Sequence, residues 1–211
     1  MATLVQEPEQ NRFYKHALWL AIFTILYNLL EGVVSIYFGA HDEALTLFGF
    51  GLDSFIEVVS GIGILAMVLR IRQHPDTPRG GFERTALRVT GWSFYLFAGG
   101  MFLTAIYNLY IGHKPTTTLS GIVIALISIA VMWILVASKR KVGRVLDSAP
   151  ILADANCSLV CIFMSLVLLG ASLIYQLTGF GIADSLGAIG LIYFSFTEGR
   201  ESFEKANDME D

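Results

Sequence analysis

Charged residues are scarce in this chain. Lys, Arg, Asp and Glu together make up 15% of the sequence, whereas an ordinary soluble domain has roughly 25%. Hydrophobic residues reach 55%, and they are gathered into runs long enough to cross a bilayer, which takes roughly 20 residues per helix. The net charge of −4 gives no general attraction to nucleic acid, so we expect no nucleic-acid partner.

The first residues are not expected to form a cleavable signal sequence. The first 17 residues, MATLVQEPEQNRFYKHA, are polar and contain two glutamates, unlike the basic and then apolar pattern of a secretory signal. The first hydrophobic run is therefore predicted to remain as a span. The only two cysteines lie four residues apart inside another run. One helical turn is a poor spacing for a disulfide, so they indicate little about the redox compartment.

The apolar runs predict an all-α, polytopic membrane protein with six transmembrane helices. A transport domain is expected over 14–203, between a cytoplasmic tail, 1–13, and a short tail, 204–211. Only EKANDMED follows the last span, so we expect no soluble C-terminal domain. The predicted spans are 14–39, 43–70, 84–111, 119–138, 149–177 and 182–203.

The basic residues predict the orientation of the spans. Thirteen of the fourteen lysines and arginines fall before the first span, in the second and fourth loops or after the sixth span, and only Lys114 faces the other side. Cytoplasmic loops carry such an excess. Both termini are therefore expected in the cytoplasm, and the compact loops favour a prokaryotic cytoplasmic membrane. By this assignment Lys139 is expected in the fourth loop, and no lysine or arginine at mid-membrane.

A pair of carboxylates in the second span is the main functional signal. Asp53 and Glu57 are four residues apart, which places them on one face of a helix. Each ionisable residue in a membrane costs about 2.5–3.5 kcal/mol on insertion scales, so a pair needs an explanation. With no basic residue expected nearby, the counter-charge is a mobile cation or one shared proton. For Glu31 we favour a hydrogen bond to a neighbouring helix, and we expect Asp184 and Glu198 to cap the ends of the sixth helix.

The fifth span carries a matching polar stripe of Asp154, Cys157, Cys161 and Ser165. Glu57 is 13 residues from Arg70 and Cys161 is 13 residues from Ser148, so both lie roughly 20 Å from the cytoplasmic end. Because the two helices run in opposite directions, these residues are expected to meet. Asp154 lies about 10 Å closer to the cytoplasm, which suits an access position. The cysteines serve equally well as small hydrophobic residues, and the four histidines, near span ends or in loops, add little.

These stretches resemble the transmembrane domain of the cation diffusion facilitator family, and its short members related to transmembrane protein 163. The resemblance rests on FGFGLDSFIEVVSG, on ADANCSLVC, on LYNLLEGVVSIYFG and on ADSLGAIG at the start of the sixth helix. It implies that Asp53 and Glu57 are metal ligands. Cys157 stands where the family usually has histidine, and Cys161 where it usually has aspartate. We expect a homodimer through the membrane helices, where small residues allow close approach: Ala98, Gly99, Gly100 and Gly187.

The predicted function is export of a divalent transition metal, with zinc as the best match, in exchange for protons. The metal would pass Asp154 and bind Asp53, Glu57, Cys157 and Cys161, since four such ligands suit tetrahedral zinc and thiolates disfavour Mg²⁺ and Ca²⁺. Burial disfavours the charged forms, so protons would occupy the site without metal. No enzymatic step and no resident cofactor are expected. Two alternatives are a membrane thiol redox protein using Cys157 and Cys161, and a membrane protein that binds metal without transporting it.

Overall fold

The computed structural model describes residues 7–42, 44–73, 80–111, 119–179 and 182–208. Within these ranges the secondary structure is entirely helical, which confirms the predicted all-α class. The helices are α1 (Glu7–His41), α2 (Leu45–Gln73), α3 (Gly80–Ile111), α4 (Leu119–Val145), α5 (Ala149–Thr178) and α6 (Ile182–Asn207). The loop around 74–79 and the loop 112–118 lie outside the described residues, and so do His74, His113 and Lys114.

The helix bounds differ from the predicted spans mainly at the ends that the sequence predicts to be cytoplasmic. Helix α1 begins at Glu7, inside the predicted tail 1–13, and α6 continues to Asn207, inside the predicted tail 204–211. The largest consequence comes from α4, which continues to Val145 instead of ending at 138. Lysine and arginine are good helix formers, and hydropathy alone marks where apolar residues stop, not where the helix stops.

Five of the described helices, α1 to α5, are long and apolar enough to cross a membrane. Helix α6 has 26 residues, about 39 Å, but its second half is too charged to meet the same hydropathy. Two ion pairs run along that half, the exposed Arg200–Glu204 and the half-buried Lys205–Glu201. It therefore matches the predicted sixth span in length, while its C-terminal turns are polar.

Helices α2 and α5 form the centre of the bundle. About half of the residues in the most apolar stretch of each are buried, 50% in α2 and 56% in α5. The corresponding share is 33–35% in α1, α3 and α4. The most extensive pairings are α1 with α2, α4 with α5, and α3 with α6, and α2 also packs directly on α5. The outer faces carry many exposed apolar side chains, such as Trp19, Leu96 and Trp133, as a lipid-facing surface requires.

Two glycines set how closely the outer helices approach the central pair. A Cβ on Gly51 of α2 would lie 2.8 Å from the backbone nitrogen of Ile36 in α1. A Cβ on Gly143 of α4 would lie 2.8 Å from Leu152 Cδ2 in α5. The contact at Gly51 is with backbone and excludes a larger residue, whereas at Gly143 the Leu152 side chain would have to shift. These glycines let α1 and α4 approach α2 and α5 closely.

A tight turn at Asp147, with φ of 46°, connects α4 to α5. Ser148 occupies the N-cap position of α5 and a proline lies in the first turn. The Ser148 hydroxyl, however, makes no cap hydrogen bond within the described structure. Proline removes one backbone N–H that would otherwise need a partner there, so the start of the helix relies less on the cap.

The small residues expected at a dimer interface do not all face outward. Gly99 and Gly100 are exposed, and a Cβ at either would meet no atom within 4 Å. Ala98 is buried, and a Cβ on Gly187 would lie 2.7 Å from Thr46 Oγ1. The expectation for Ala98 and Gly187 is therefore wrong, because both serve packing inside the chain.

Candidate metal centre

Asp53 and Glu57 lie in the interior of the bundle, on the face of α2 that meets α5. Their exposed fractions are 2% and 3%. The Cys161 thiol of α5 lies next to the Asp53 carboxyl. The acidic face of α2 therefore meets the thiol face of α5 as expected, with Asp53, one turn from Glu57, beside Cys161.

Glu57 has one satisfied and one unsatisfied carboxylate oxygen. Asn28 of α1 donates to Oε2 from Nδ2 at 2.8 Å. The other oxygen, Oε1, is buried and has no hydrogen-bond partner among the residues that the structure describes. A buried acceptor without a partner is costly, so this atom is the strongest indication of a ligand position in the bundle.

Asn28 is a site residue that sequence reasoning missed. It is fully buried, and its amide also donates to the carbonyl of Thr24 at 3.0 Å. A buried amide in a lipid-embedded helix is expensive unless it is bonded. The sequence does contain a sign of this role, because Asn28 is a polar residue three positions before Glu31 in an otherwise apolar helix.

Both cysteines are buried free thiols. Cys161 is fully enclosed and Cys157 is 6% exposed. Cys157 lines a small cavity of about 20 Å³, together with Asp154, Ser60 and Thr90, which leaves room for one water molecule. Pro150, in the first turn of α5, also lines this cavity. The cavity therefore reaches Cys157 from the end of the bundle where α4 connects to α5.

Asp154 is held by a buried lysine. Lys139 of α4 forms an ion pair with it, with 2.8 Å between Nζ and Oδ2, and the Ser60 hydroxyl of α2 donates to Oδ1 at 2.9 Å. Lys139 also donates to Ser158 Oγ at 2.8 Å. The expectation that Lys139 lies in a loop, with no basic side chain at depth, is wrong. Helix α4 continues past it, and Gly143 brings that part of α4 against α5.

A sequence signal for the burial of Lys139 did exist. The buried residues of α4 recur at helical spacing and include Lys139 as one member of the series. Extending the apolar face of α4 by one turn would therefore have placed it inside. The series is Gly121, Ala125, Ser128, Met132, Leu135, Val136, Lys139, Val142 and Gly143.

The other acidic residues of the helices have separate environments. Glu31 accepts hydrogen bonds from Tyr27 at 2.8 Å and from Ser54 of α2 at 3.0 Å, which is the helix-to-helix bonding that we favoured for it. Glu198 is half-buried and nine residues before the end of α6, so the expectation that it caps the helix is wrong. The side chain of Asp184 lies outside the described residues.

The acids and thiols are neighbours without forming a preassembled metal cage. In the described part of the chain, no three His, Cys, Asp or Glu side chains converge as a metal-binding group.

A second acidic position, missed from the sequence, lies at the opposite end of the bundle. There the buried Asp42 accepts from Ser120 of α4 at 2.5 Å and contacts His41 at 3.3 Å.

Comparison with known proteins identifies the bundle. The family model for the cation efflux transmembrane domain matches residues 17–208, which includes every site residue above. The chain belongs to the cation efflux family. This confirms the resemblance inferred from the α2 and α5 motifs, and it assigns the bundle to a family of membrane transporters with a metal cation as substrate.

Among individual proteins, this cation efflux domain is similar to Transmembrane protein 163 of Xenopus laevis. The two are 25% identical over 198 residues, which cover 92% of this chain and 69% of that protein. The similarity therefore extends over nearly all of the six-helix bundle, as expected for the short members of the family.

Proposed function

We propose that the protein exports a divalent transition metal, zinc in the first place, from the cytoplasm in exchange for protons. The observation that supports this most directly is the buried Glu57 carboxylate, with Oε1 unpartnered in the described structure, one turn from Asp53. Two buried acids on one helix face, in a cation efflux domain, form a position that a cation would neutralise.

The proposed ligands are Asp53, Glu57, Cys157 and Cys161, with Asp154 on the access route. Zinc takes thiolate sulfur at about 2.3 Å and carboxylate oxygen at about 2.0–2.2 Å, usually four ligands in all. Since the side chains are not gathered in this way, metal binding would draw the α2 and α5 faces together. The contact between Asp53 and Cys161 shows that one pair across this interface is already adjacent.

The proposed direction of transport follows from the basic residues at the α4–α5 end. Arg140, Lys141 and Arg144 lie on the last turns of α4, and an excess of positive charge is typical of the cytoplasmic side. We therefore place this end, both termini and the access past Asp154 in the cytoplasm, with the protein in the cytoplasmic membrane.

Proton exchange is expected because a metal competes with protons for the same carboxylates and thiols. We expect zinc uptake into vesicles containing the purified protein to be faster when the vesicle interior is more acidic than the bath. Outward proton flow would then drive inward metal flow. The measurement is zinc-indicator fluorescence inside the vesicles, with and without an ionophore that dissipates the pH gradient. Uptake that is unaffected by the gradient would rule out exchange, and binding without any uptake would favour a metal-binding protein that does not transport.

The two thiols should determine metal preference more than transport itself. We expect Cys157→Ser and Cys161→Ser each to weaken Cd²⁺ and Zn²⁺ binding by about 10–100-fold, since hydroxyl oxygen is a poorer ligand than thiolate for soft ions. Binding of Mn²⁺ should change less. Competition titrations on the purified variants would measure both. Unchanged affinities in both variants would return the cysteines to a packing role.

Thiol labelling of the unmodified protein addresses the thiol redox alternative. A redox pair would show an oxidised form that a reductant reverses, and it would react with thiol reagents equally with or without zinc. A metal site predicts that zinc protects the thiols from the reagent. Both cysteines are almost fully buried, which also disfavours exchange with a partner disulfide.

A homodimer is proposed through the exposed face of α3. Gly99 and Gly100 lie next to each other there, with open space at both Cβ positions, and such small residues allow two membrane helices to approach closely. We expect Gly99→Leu to weaken the dimer while zinc binding stays unchanged. Chemical crosslinking in vesicles would show it, with Leu126→Ala on the exposed face of α4 as the control.

A further inference from the structure

Lys139 is an unusual component for a cation site. Its side chain is 2% exposed, and its ammonium is bonded to Asp154 at 2.8 Å and to Ser158 at 2.8 Å. Lysines in membrane helices normally extend toward the interface and water. This one instead points into the bundle and remains there, held by two groups of α5.

The ammonium lies on the access side of the proposed ligands. Asp154 precedes Cys157 by three residues on α5, and the cavity of about 20 Å³ connects these two residues with Ser60. The charge of Lys139 also acts on Glu57 and on Cys157. A cation that travels from the α4–α5 end toward Asp53 and Glu57 therefore meets Lys139 first.

We propose that Lys139 is a tethered counter-cation that competes with the transported metal for the negative charge of the site. It rests on the proposed function, because it concerns the affinity of that same site. Without metal, the ammonium neutralises Asp154 and partly offsets Glu57. When metal binds, the two cations repel each other, so the affinity is reduced and metal release is faster.

A purely structural clamp between α4 and α5 is the competing explanation. An apolar pair of similar volume could hold two helices together without burying charge, and it is often as stable or more so. A clamp would not need to act on Glu57 or Cys157. The two explanations differ in one measurable quantity, which is the dependence of metal affinity on the charge at position 139.

A set of four variants changes the charge with little change of shape. Lys139→Gln removes one positive charge and keeps a donor for Asp154. Asp154→Asn removes one negative charge and keeps an acceptor for Lys139. The double variant restores the original net charge, and Lys139→Arg preserves it. Zinc binding to the purified full-length chain in lipid nanodiscs is measured by calorimetry, and zinc flux is measured in vesicles.

We expect Lys139→Gln to bind zinc about tenfold more tightly, within the roughly 5–150-fold typical of coupling between sites. KM and the maximal rate of flux should both fall, because release slows. Asp154→Asn should bind more weakly, and Lys139→Gln should restore affinity in its background. Lys139→Arg should remain near the original affinity.

Unchanged or weaker binding in a folded Lys139→Gln protein would overturn the proposal. If that variant does not fold, the comparison of Asp154→Asn with the double variant decides in the same way. Asp53→Asn separates this inference from the proposed function. If zinc binding survives Asp53→Asn, the metal site itself is misplaced. If zinc binding is lost in Asp53→Asn but insensitive to position 139, only the role of Lys139 is refuted.

Discussion

Asp53→Asn and Glu57→Gln are each expected to reduce zinc flux by at least about 100-fold. Removing a residue that only hydrogen-bonds a metal ligand already costs about 10–100-fold, so removing a ligand should cost no less. Both replacements keep the size and polarity of the side chain and remove the negative charge. Because each acid supplies charge on the α2 face that meets α5, neither can be replaced by a neighbour. Flux into vesicles and zinc calorimetry on the same preparations would measure the loss.

Glu31→Gln is the matched control. It lies on α1, is equally buried, and its two oxygens are occupied by Tyr27 and Ser54. We expect it to retain most of the flux. Neutralising Asp53 or Glu57 also removes a buried charge, so the thermal stability of these variants should not fall. Wild-type flux in either α2 variant, or equal loss in all three, would show that the site is wrongly assigned.

Hydropathy was enough to predict the architecture, and depth counting brought the acids of α2 towards the thiols of α5. Apolar runs must become helices in a bilayer, because their backbone groups have no other partners there. Counting the rise along two antiparallel helices then placed Glu57 and Cys161 at one level. In the structure Cys161 lies beside Asp53, one helical turn from Glu57, so the count agrees to within about one turn.

The features that could not be predicted are the direction in which each helix face points and the residue at which each helix ends. Lys139 was assigned to a loop because hydropathy falls after 138, although α4 continues to Val145. Gly187 was expected to face a second copy of the chain, but packs on Thr46. Whether a small residue faces lipid, a second subunit or its own bundle is decided by packing among all six helices, which local sequence does not contain.

Asp154→Ala is expected to cause the largest loss of stability, about 3–5 kcal/mol, the usual cost of leaving one member of a buried ion pair without its partner. Lys139 would keep only its bond to Ser158, and Ser60 would lose its acceptor. The free energy of unfolding of the metal-free protein, measured by denaturant titration in mixed micelles, would show the effect.

Two further variants separate the ion pair from its surroundings. Ser60→Ala removes one hydrogen bond to the same carboxylate and should cost only about 1 kcal/mol. The double variant Lys139→Met with Asp154→Leu should recover most of the loss, because a well-packed apolar pair avoids burying two charges. That protein should still bind zinc at Asp53 and Glu57. A double variant as unstable as Asp154→Ala would mean that the pair is needed for folding, and its retention could then be explained without any role in transport. A stable double variant would instead mean that folding does not require two buried charges at this place. Their presence beside the proposed metal route would then need a functional reason.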